Sequence, residues 1–261
     1  MRASVIRVQR RADTEAMHDL RVAGRRTRAA LMFFRDAWAE PGPLRLKNGI
    51  RRVARRLGPL RDLEASRDIL AASWDLMRGH ALRTEAAAAR HYIEALLDRR
   101  LRMKTHPAEK ELQALLRELD RVPQWKLPAS DPPRPRQAEE IQRALRKRLR
   151  MFARPVERML PRRSGDAHEW HEYRIRIKKY RYALELAQSQ GIPGLRNKIR
   201  RLAAIQDLLG EHHDISVLIS LLTRRTSASA GRAVQGNRLE EWFARRQKKL
   251  IRSAHILAKP L

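Results

Sequence analysis

The 261-residue chain carries 58 Lys and Arg against 29 Asp and Glu, which gives a net charge of +29. A hydrophobic fraction of 43% can bury a sizeable core, so the composition argues against a disordered basic tail, and the charge indicates a polyanionic partner. Because 47 of the cations are arginine, whose planar fork matches two phosphate oxygens, phosphate is the favoured anion. The absence of cysteine excludes disulfides and thiolate metal sites.

Targeting segments are not evident in the sequence. The charge-free apolar stretch at residues 215–223 is well short of the ~18 residues that a membrane span needs. Arg7, Arg10 and Arg11 fall where a signal peptide would have its apolar core. We therefore expect a cytoplasmic protein that does not bind membranes.

The spacing of apolar residues is helical almost throughout, and alternating β-branched runs are scarce, which predicts an all-α chain. The predicted helices cover residues 12–39, 44–57, 60–78, 81–104, 107–121, 137–160, 166–190, 194–209, 212–225 and 236–258. We expect Gly58 and Gly210 to end helices, and Asp62 and Asp214 to cap the helices that follow. A proline-rich linker at residues 123–137 is predicted to separate a first half, 1–122, from a second, 138–261.

The two halves resemble each other. Residues 18–31 align with 171–184 at an offset of 153, and residues 57–62 align with 209–214 at an offset of 152. Two blocks in the same order and at nearly the same spacing indicate an internal duplication. The expected architecture is two helical bundles related by a pseudo-twofold axis.

Each repeat contains a helix with one cationic face and one apolar face. At 100° per residue, four basic side chains of each helix share a face. They are His18, Arg21, Arg25 and Arg28 in the first repeat and His171, Arg174, Lys178 and Arg181 in the second. Like charges at this spacing weaken a helix, which indicates an anion between them, although a solvated face remains the alternative. The next helices add Lys47, Arg51 and Arg55, and Lys198 and Arg201, as supporting candidates.

The histidines that head the two stripes allow more than one role. A neighbouring phosphate favours the charged form of His18 and His171, whereas a structural role in bridging helices is equally open. Metal binding is a third alternative, at His168 and His171 or at His212 to Asp214. Neither set repeats in the first half and the surrounding arginines repel a cation, so we expect no metal and no cofactor. A catalytic pair of Asp62 and Asp214 is not favoured.

These motifs resemble those of the CHAD domain, the conserved-histidine α-helical domain. The resemblance rests on His18-x-x-Arg21 with its following arginines, on Leu57-Gly58-x-x-Arg61-Asp62, and on their second-half counterparts, from about residue 12 to the end. It implies two four-helix bundles around a central basic cavity, with the opening helix shortened in this chain. It also implies binding of inorganic polyphosphate through the eight stripe residues, with Lys47, Arg51 and Arg55 as further candidates, and a location at polyphosphate granules.

Some CHAD domains are fused to a triphosphate tunnel metalloenzyme domain, whose Glu-x-Glu-x-Lys signature is not found in this sequence. We therefore expect a stand-alone CHAD protein that is not an enzyme. With 13 aromatic residues in 261 and no exposed ring expected among the stripe residues, a polyanion without bases fits better than nucleic acid. Non-specific nucleic-acid binding stays open, as do a phosphate-processing metalloenzyme, a purely structural granule protein and the oligomeric state.

Overall fold

A computed structural model describes residues 1–10, 14–35, 41–101, 108–122, 135–228 and 238–259. Within these ranges it contains helices and no strand, which confirms the all-α prediction. The helices are α1 (Arg2–Arg10), α2 (Thr14–Phe33), α3 (Gly42–Ser73), α4 (His80–Leu101), α5 (Glu109–Asp120), α6 (Pro135–Arg158), α7 (Ala167–Ser189), α8 (Arg196–Ala228) and α9 (Arg238–Ala258). A 3₁₀ turn, Trp74–Leu76, follows α3 directly. None of these helices is long and apolar enough to cross a membrane.

The chain forms two compact units, and neither is one continuous stretch of sequence. Unit 1 comprises residues 1–57, 104–159 and 176–202, and unit 2 comprises residues 58–103, 160–175 and 203–261. The long helices α3, α7 and α8 each contribute residues to both units. The division of the sequence at a linker rests on the repeated motifs and stays a prediction, and residues 123–134 of that linker lie outside the described residues.

Unit 1 is built around α2 and the helices that cover its apolar side. Gly24 of α2 faces Ile50 of α3, where an added Cβ would lie only 3.0 Å from the isoleucine Cγ2, so glycine allows these two helices to pack closely. Helix α1 packs against α2 and α5. Its Arg7 donates hydrogen bonds to Asp19 at 2.9 Å and Glu15 at 2.6 Å, both on α2.

Unit 2 contains α4, α9 and the remaining parts of α3, α7 and α8. Trp170, Tyr173 and Phe243 are its largest fully buried side chains. Helix α4 packs against α9, where the backbone N–H of Leu239 donates to Glu85 at 3.0 Å. This bond satisfies one of the amide groups that the start of a helix leaves open.

The structure corrects the predicted helix ends at Gly58 and Gly210. Helix α3 runs through Gly58 and Pro59 without a break, and α8 runs through Gly210. A glycine inside a helix costs only about 1 kcal/mol, and buried leucines on both sides of Gly58 outweigh that cost. Asp62 and Asp214 therefore lie inside helices and cap neither of them.

Other predicted breaks are confirmed. Gly79, Gly191 and Gly194 have φ angles of +89°, +83° and +79°, a conformation that side chains with a Cβ rarely adopt. The predicted helix at 12–39 is shorter and is preceded by α1, which the sequence analysis missed. The predicted break between the helices at 81–104 and 107–121 lies outside the described ranges.

Arg148 of α6 holds the C-terminal end of α2. Its guanidinium donates to the carbonyl oxygens of Phe33 at 3.1 Å and Met32 at 2.9 Å, two acceptors that the end of a helix leaves open. The ring of Phe152, one turn further along α6, stacks on Phe33 with centroids 6.1 Å apart. Together these contacts fix α6 against α2 within unit 1.

Substitution of Arg148 by methionine, which keeps the apolar stem but removes the donors, is expected to lower the free energy of unfolding by about 2 kcal/mol. The matched control is Arg150→Met, an exposed position on the same helix, with an expected change within about 0.5 kcal/mol. Urea unfolding measures both variants. Equal midpoints for the two would contradict the capping role of Arg148.

Candidate anion-binding site

The α2 stripe, defined as His18, Arg21, Arg25 and Arg28, lies on one face of α2, as predicted. Only His18 is exposed, while the three arginines are half-buried. In the described part of the chain, the Nε of Arg25 is buried and has no hydrogen-bond partner. A buried donor without a partner costs about 1–3 kcal/mol, so this stripe is not an ordinary solvated face.

Arg28 is the member of the α2 stripe that lies near a second helix of the site. Burial, and next the positive charge of Arg51 on α3, lower the pKa of the Arg28 guanidinium. The structure therefore brings together two cations that the sequence analysis had placed on successive helices. A half-buried cation and an exposed one held near each other attract an anion, because a phosphate would neutralise both.

The α7 stripe, defined as His171, Arg174, Lys178 and Arg181, continues along one helix from unit 2 into unit 1. All four side chains are half-buried. The opposite face is fully covered, because Tyr173, Ile177, Tyr180 and Leu184 are all buried, which confirms the predicted core side of this helix.

Arg181 belongs to the part of the α7 stripe in unit 1. It lies 3.3 Å from Glu185, and its guanidinium stands 4.8 Å from the ring centre of Tyr182. Its Nε, like that of Arg25, is buried without a hydrogen-bond partner among the described residues. On the neighbouring helix α8, Lys198 places its Nζ 5.7 Å from the ring of Tyr180. Because Tyr180 belongs to the buried face opposite the stripe, this contact places Lys198 beside α7 but does not join it to the α7 stripe, and its role stays a prediction.

In unit 2, the stripe residues His171 and Arg174 lie beside two histidines of α8, His212 and His213. The rings of His171 and His213 lie 5.0 Å apart between centroids. Gly210, one turn before His213, faces Arg174, and a Cβ added there would lie 3.9 Å from the arginine Nη2. We call His171, Arg174, His212 and His213 the histidine cluster.

Two members of the histidine cluster, His212 and His213, favour their neutral forms when no anion is bound. Burial, followed by the charge of Arg174, lowers the pKa of His212 and brings the pKa of His213 to about 4. The charge of Asp214 opposes this shift, and His171 and Arg61 make smaller contributions that lower the pKa of His213 further. A phosphate beside these rings would favour their charged forms and reverse this direction.

Arg61, which the sequence analysis did not select as a site residue, donates to Asp214 at 3.2 Å. The two residues lie in the blocks that the repeat had paired, at 57–62 and 209–214. Because both groups are charged and partly buried, the pair fixes α3 against α8 within unit 2. One signal in the sequence could have identified Arg61. It lies in an aligned block, and the matching block at residues 209–214 contains His213.

The remaining predicted residues are less closely joined. His18, Arg51 and Arg55 are exposed, while Lys47 and Arg201 are half-buried on α3 and α8. The described contacts do not join His18, Lys47 or Arg55 to the other members, and their roles stay predictions. Within the described ranges no group of three or more His, Asp or Glu residues is placed to hold a metal ion.

The arrangement can bind an anion at several points along two helices. It offers half-buried guanidinium groups, whose N–H donors suit phosphate oxygens, and histidines that gain a proton when negative charge arrives.

Comparison with known proteins supports the resemblance. No curated protein matches the chain at a significant level. The family model of the CHAD domain matches residues 1–223, a range that includes α1 and ends before α9. Since this match covers most of the 261 residues, the chain belongs to the CHAD domain family.

Proposed function

We propose that this protein binds inorganic polyphosphate through the α2 and α7 stripes and does not cleave it. The observation that carries the proposal is the half-burial of both stripes, with the Nε of Arg25 and of Arg181 buried and unpartnered within the described residues. Two costs destabilise the free protein: the repulsion between half-buried, like-charged arginines, and the burial of these Nε donors without a partner. An extended phosphate chain would relieve both costs. The CHAD family, for which polyphosphate binding is expected, supports the same ligand.

The internal duplication, the pseudo-twofold axis and the central basic cavity belong to this proposal. So does a cytoplasmic location at polyphosphate granules. The aligned blocks support the duplication, because each contributes a stripe headed by a histidine. Five further cations are proposed to extend the contact along the polyphosphate chain: Lys47, Arg51, Arg55, Lys198 and Arg201.

Polyphosphate is favoured over nucleic acid because the aromatic rings beside the stripes are not exposed for stacking on bases. Tyr173 and Tyr180 are buried, and Tyr182 is half-buried below Arg181. Single-stranded nucleic acid gains much of its affinity by stacking bases on exposed rings, and these rings cannot supply it. The net charge of +29 alone would still allow non-specific binding to DNA.

A competition experiment tests the proposal. Labelled polyphosphate is bound to the protein and displaced by unlabelled polyphosphate, single-stranded DNA or double-stranded DNA of matched total charge, at two salt concentrations. We expect polyphosphate to displace the label at a concentration at least about tenfold lower than either DNA, and all affinities to fall as salt rises. Equal displacement by DNA at both salt concentrations would overturn the proposal in favour of non-specific nucleic-acid binding.

A further inference from the structure

Helix α6 carries a second basic surface that the sequence analysis did not single out. Between residues 143 and 154 the sequence has six cations and no acidic residue. Arg148 points inward to α2, and the other five lie within about 100° of one another on the helix. We call these five exposed residues the α6 face: Arg143, Arg146, Lys147, Arg150 and Arg154.

The helix that carries the α6 face is held in place by packing. Its opposite side buries Leu145, Leu149, Ala153 and Val156. The hydrogen bonds of Arg148 add a polar anchor to the end of α2. Five cations spread over about 16 Å of a held helix repel one another, and an extended anion would relieve that repulsion along the whole length.

The chemistry of the α6 face selects a phosphate chain over other anionic partners. Phe152 is half-buried against Phe33, so the ring cannot stack on a base. The apolar side of α6 is largely buried in unit 1, although Ile141 and Met151 are exposed, so little of it is available to a lipid surface. Its acidic neighbour Glu139, 3.5 Å from Arg143, lies at one end and leaves the middle of the face purely cationic.

Helix α6, which carries the α6 face, is anchored to the C-terminal end of α2, just beyond the α2 stripe. Arg148 contacts the carbonyls of Met32 and Phe33, which follow Arg28 by only about 6–7.5 Å along α2. A polymer that continued past Arg28 toward the C-terminal end of α2 would come near α6 in the same unit.

We propose that the α6 face is a second polyphosphate-binding surface that contacts only chains too long for the stripes, and thereby makes the protein prefer long chains. This inference rests on the proposed function and adds to it a preference for length.

The test compares the binding of two polyphosphates. The short one is less than about 16 Å long when fully extended, and the long one is several times that length. The α6 variant replaces Arg143, Lys147, Arg150 and Arg154 by glutamine. A matched control replaces Arg78, Arg99, Lys110 and Arg224, which are exposed on four different segments, so that the total charge is equal. Circular dichroism and thermal unfolding of both variants check the fold, and the double variant Arg150→Gln/Arg154→Gln replaces the quadruple one if that unfolds.

We expect wild type to bind the long chain at least about tenfold more tightly per molecule, and the α6 variant to lose that advantage while binding the short chain as wild type does. For the long chain alone, the slope of log affinity against log salt should decrease by roughly 3. Equal losses for both lengths, or the same loss in the control, would overturn the inference. Wild type that binds both lengths equally would overturn it while leaving the proposed function intact, whereas wild type that binds neither would overturn both.

Discussion

Replacement of Arg25, Arg28 and Arg181 together by glutamine is expected to lower the affinity for short polyphosphate at least about 100-fold. Each of these guanidinium groups can donate charge-assisted hydrogen bonds to phosphate, worth about 1.5–3 kcal/mol apiece. Even if only two of the three contribute fully, the loss exceeds about 3 kcal/mol, which is a factor of more than 100. Fluorescence anisotropy of end-labelled polyphosphate measures the change.

A matched control separates this effect from the loss of charge. The control residues are exposed and carry the same total charge: Arg26 and Lys179 lie on the same two helices, α2 and α7, and Arg196 lies on the next helix, α8. Their replacement by glutamine is expected to cost less than about tenfold in affinity, because exposed cations contribute mainly through screened, long-range attraction. Equal losses in the two triple variants would show that the overall field binds the anion and that the stripes have no special part.

The site variant should also keep or raise the stability of the free protein. Arg25 and Arg181 each have a buried Nε without a partner in the described part of the chain, and Arg28 lies near Arg51. Glutamine removes the charges and their mutual repulsion. A variant that loses affinity without losing its urea midpoint thus places the arginines in binding and not in folding.

The stability of the free protein is expected to decrease as the pH falls from about 6.5 to about 4. The pKa of His213 is lowered from 6.5 to about 4, first by burial and then by Arg174, with further contributions from His171 and Arg61. Between these two values the unfolded chain binds a proton that the folded protein does not. Stability from this group is therefore complete above pH 6.5 and is lost by about 1 kcal/mol for each pH unit below it.

Urea midpoints at pH 7, 6 and 5 for wild type and His213→Gln test this expectation. The variant should lose less stability on acidification, and His80→Gln, at an exposed position on α4, should behave as wild type does. Saturating polyphosphate should also reduce the loss in wild type, because phosphate favours the charged imidazole. Parallel curves for wild type and His213→Gln would contradict the low pKa of this histidine.

Much of the helical content could be predicted from the sequence, because the apolar period is a local property. The buried face of α7, with Tyr173 and Ile177, follows directly from that period. Gly79 was predicted correctly because its positive φ ends a helix locally. Gly58 and Gly210 were not, because the choice between ending and continuing a helix there depends on packing against distant segments.

The site was predicted less completely than the fold. The stripes follow from helical spacing, but the burial of the Nε atoms of Arg25 and Arg181 depends on which helices cover them. The contact of Arg61 with Asp214 joins residues 153 positions apart and is set by tertiary packing. The α6 face was visible as a run of cations without acids, yet it has no histidine and no equivalent among the aligned blocks.

The central claim is that the half-buried arginines of the α2 and α7 stripes hold phosphate. A crystal structure of the protein with a short polyphosphate tests this claim most directly. The account predicts phosphate oxygens within hydrogen-bonding distance of Arg25, Arg28 and Arg181. Phosphates bound only to exposed cations such as Arg26 and Lys179, with those three arginines unoccupied, would contradict it.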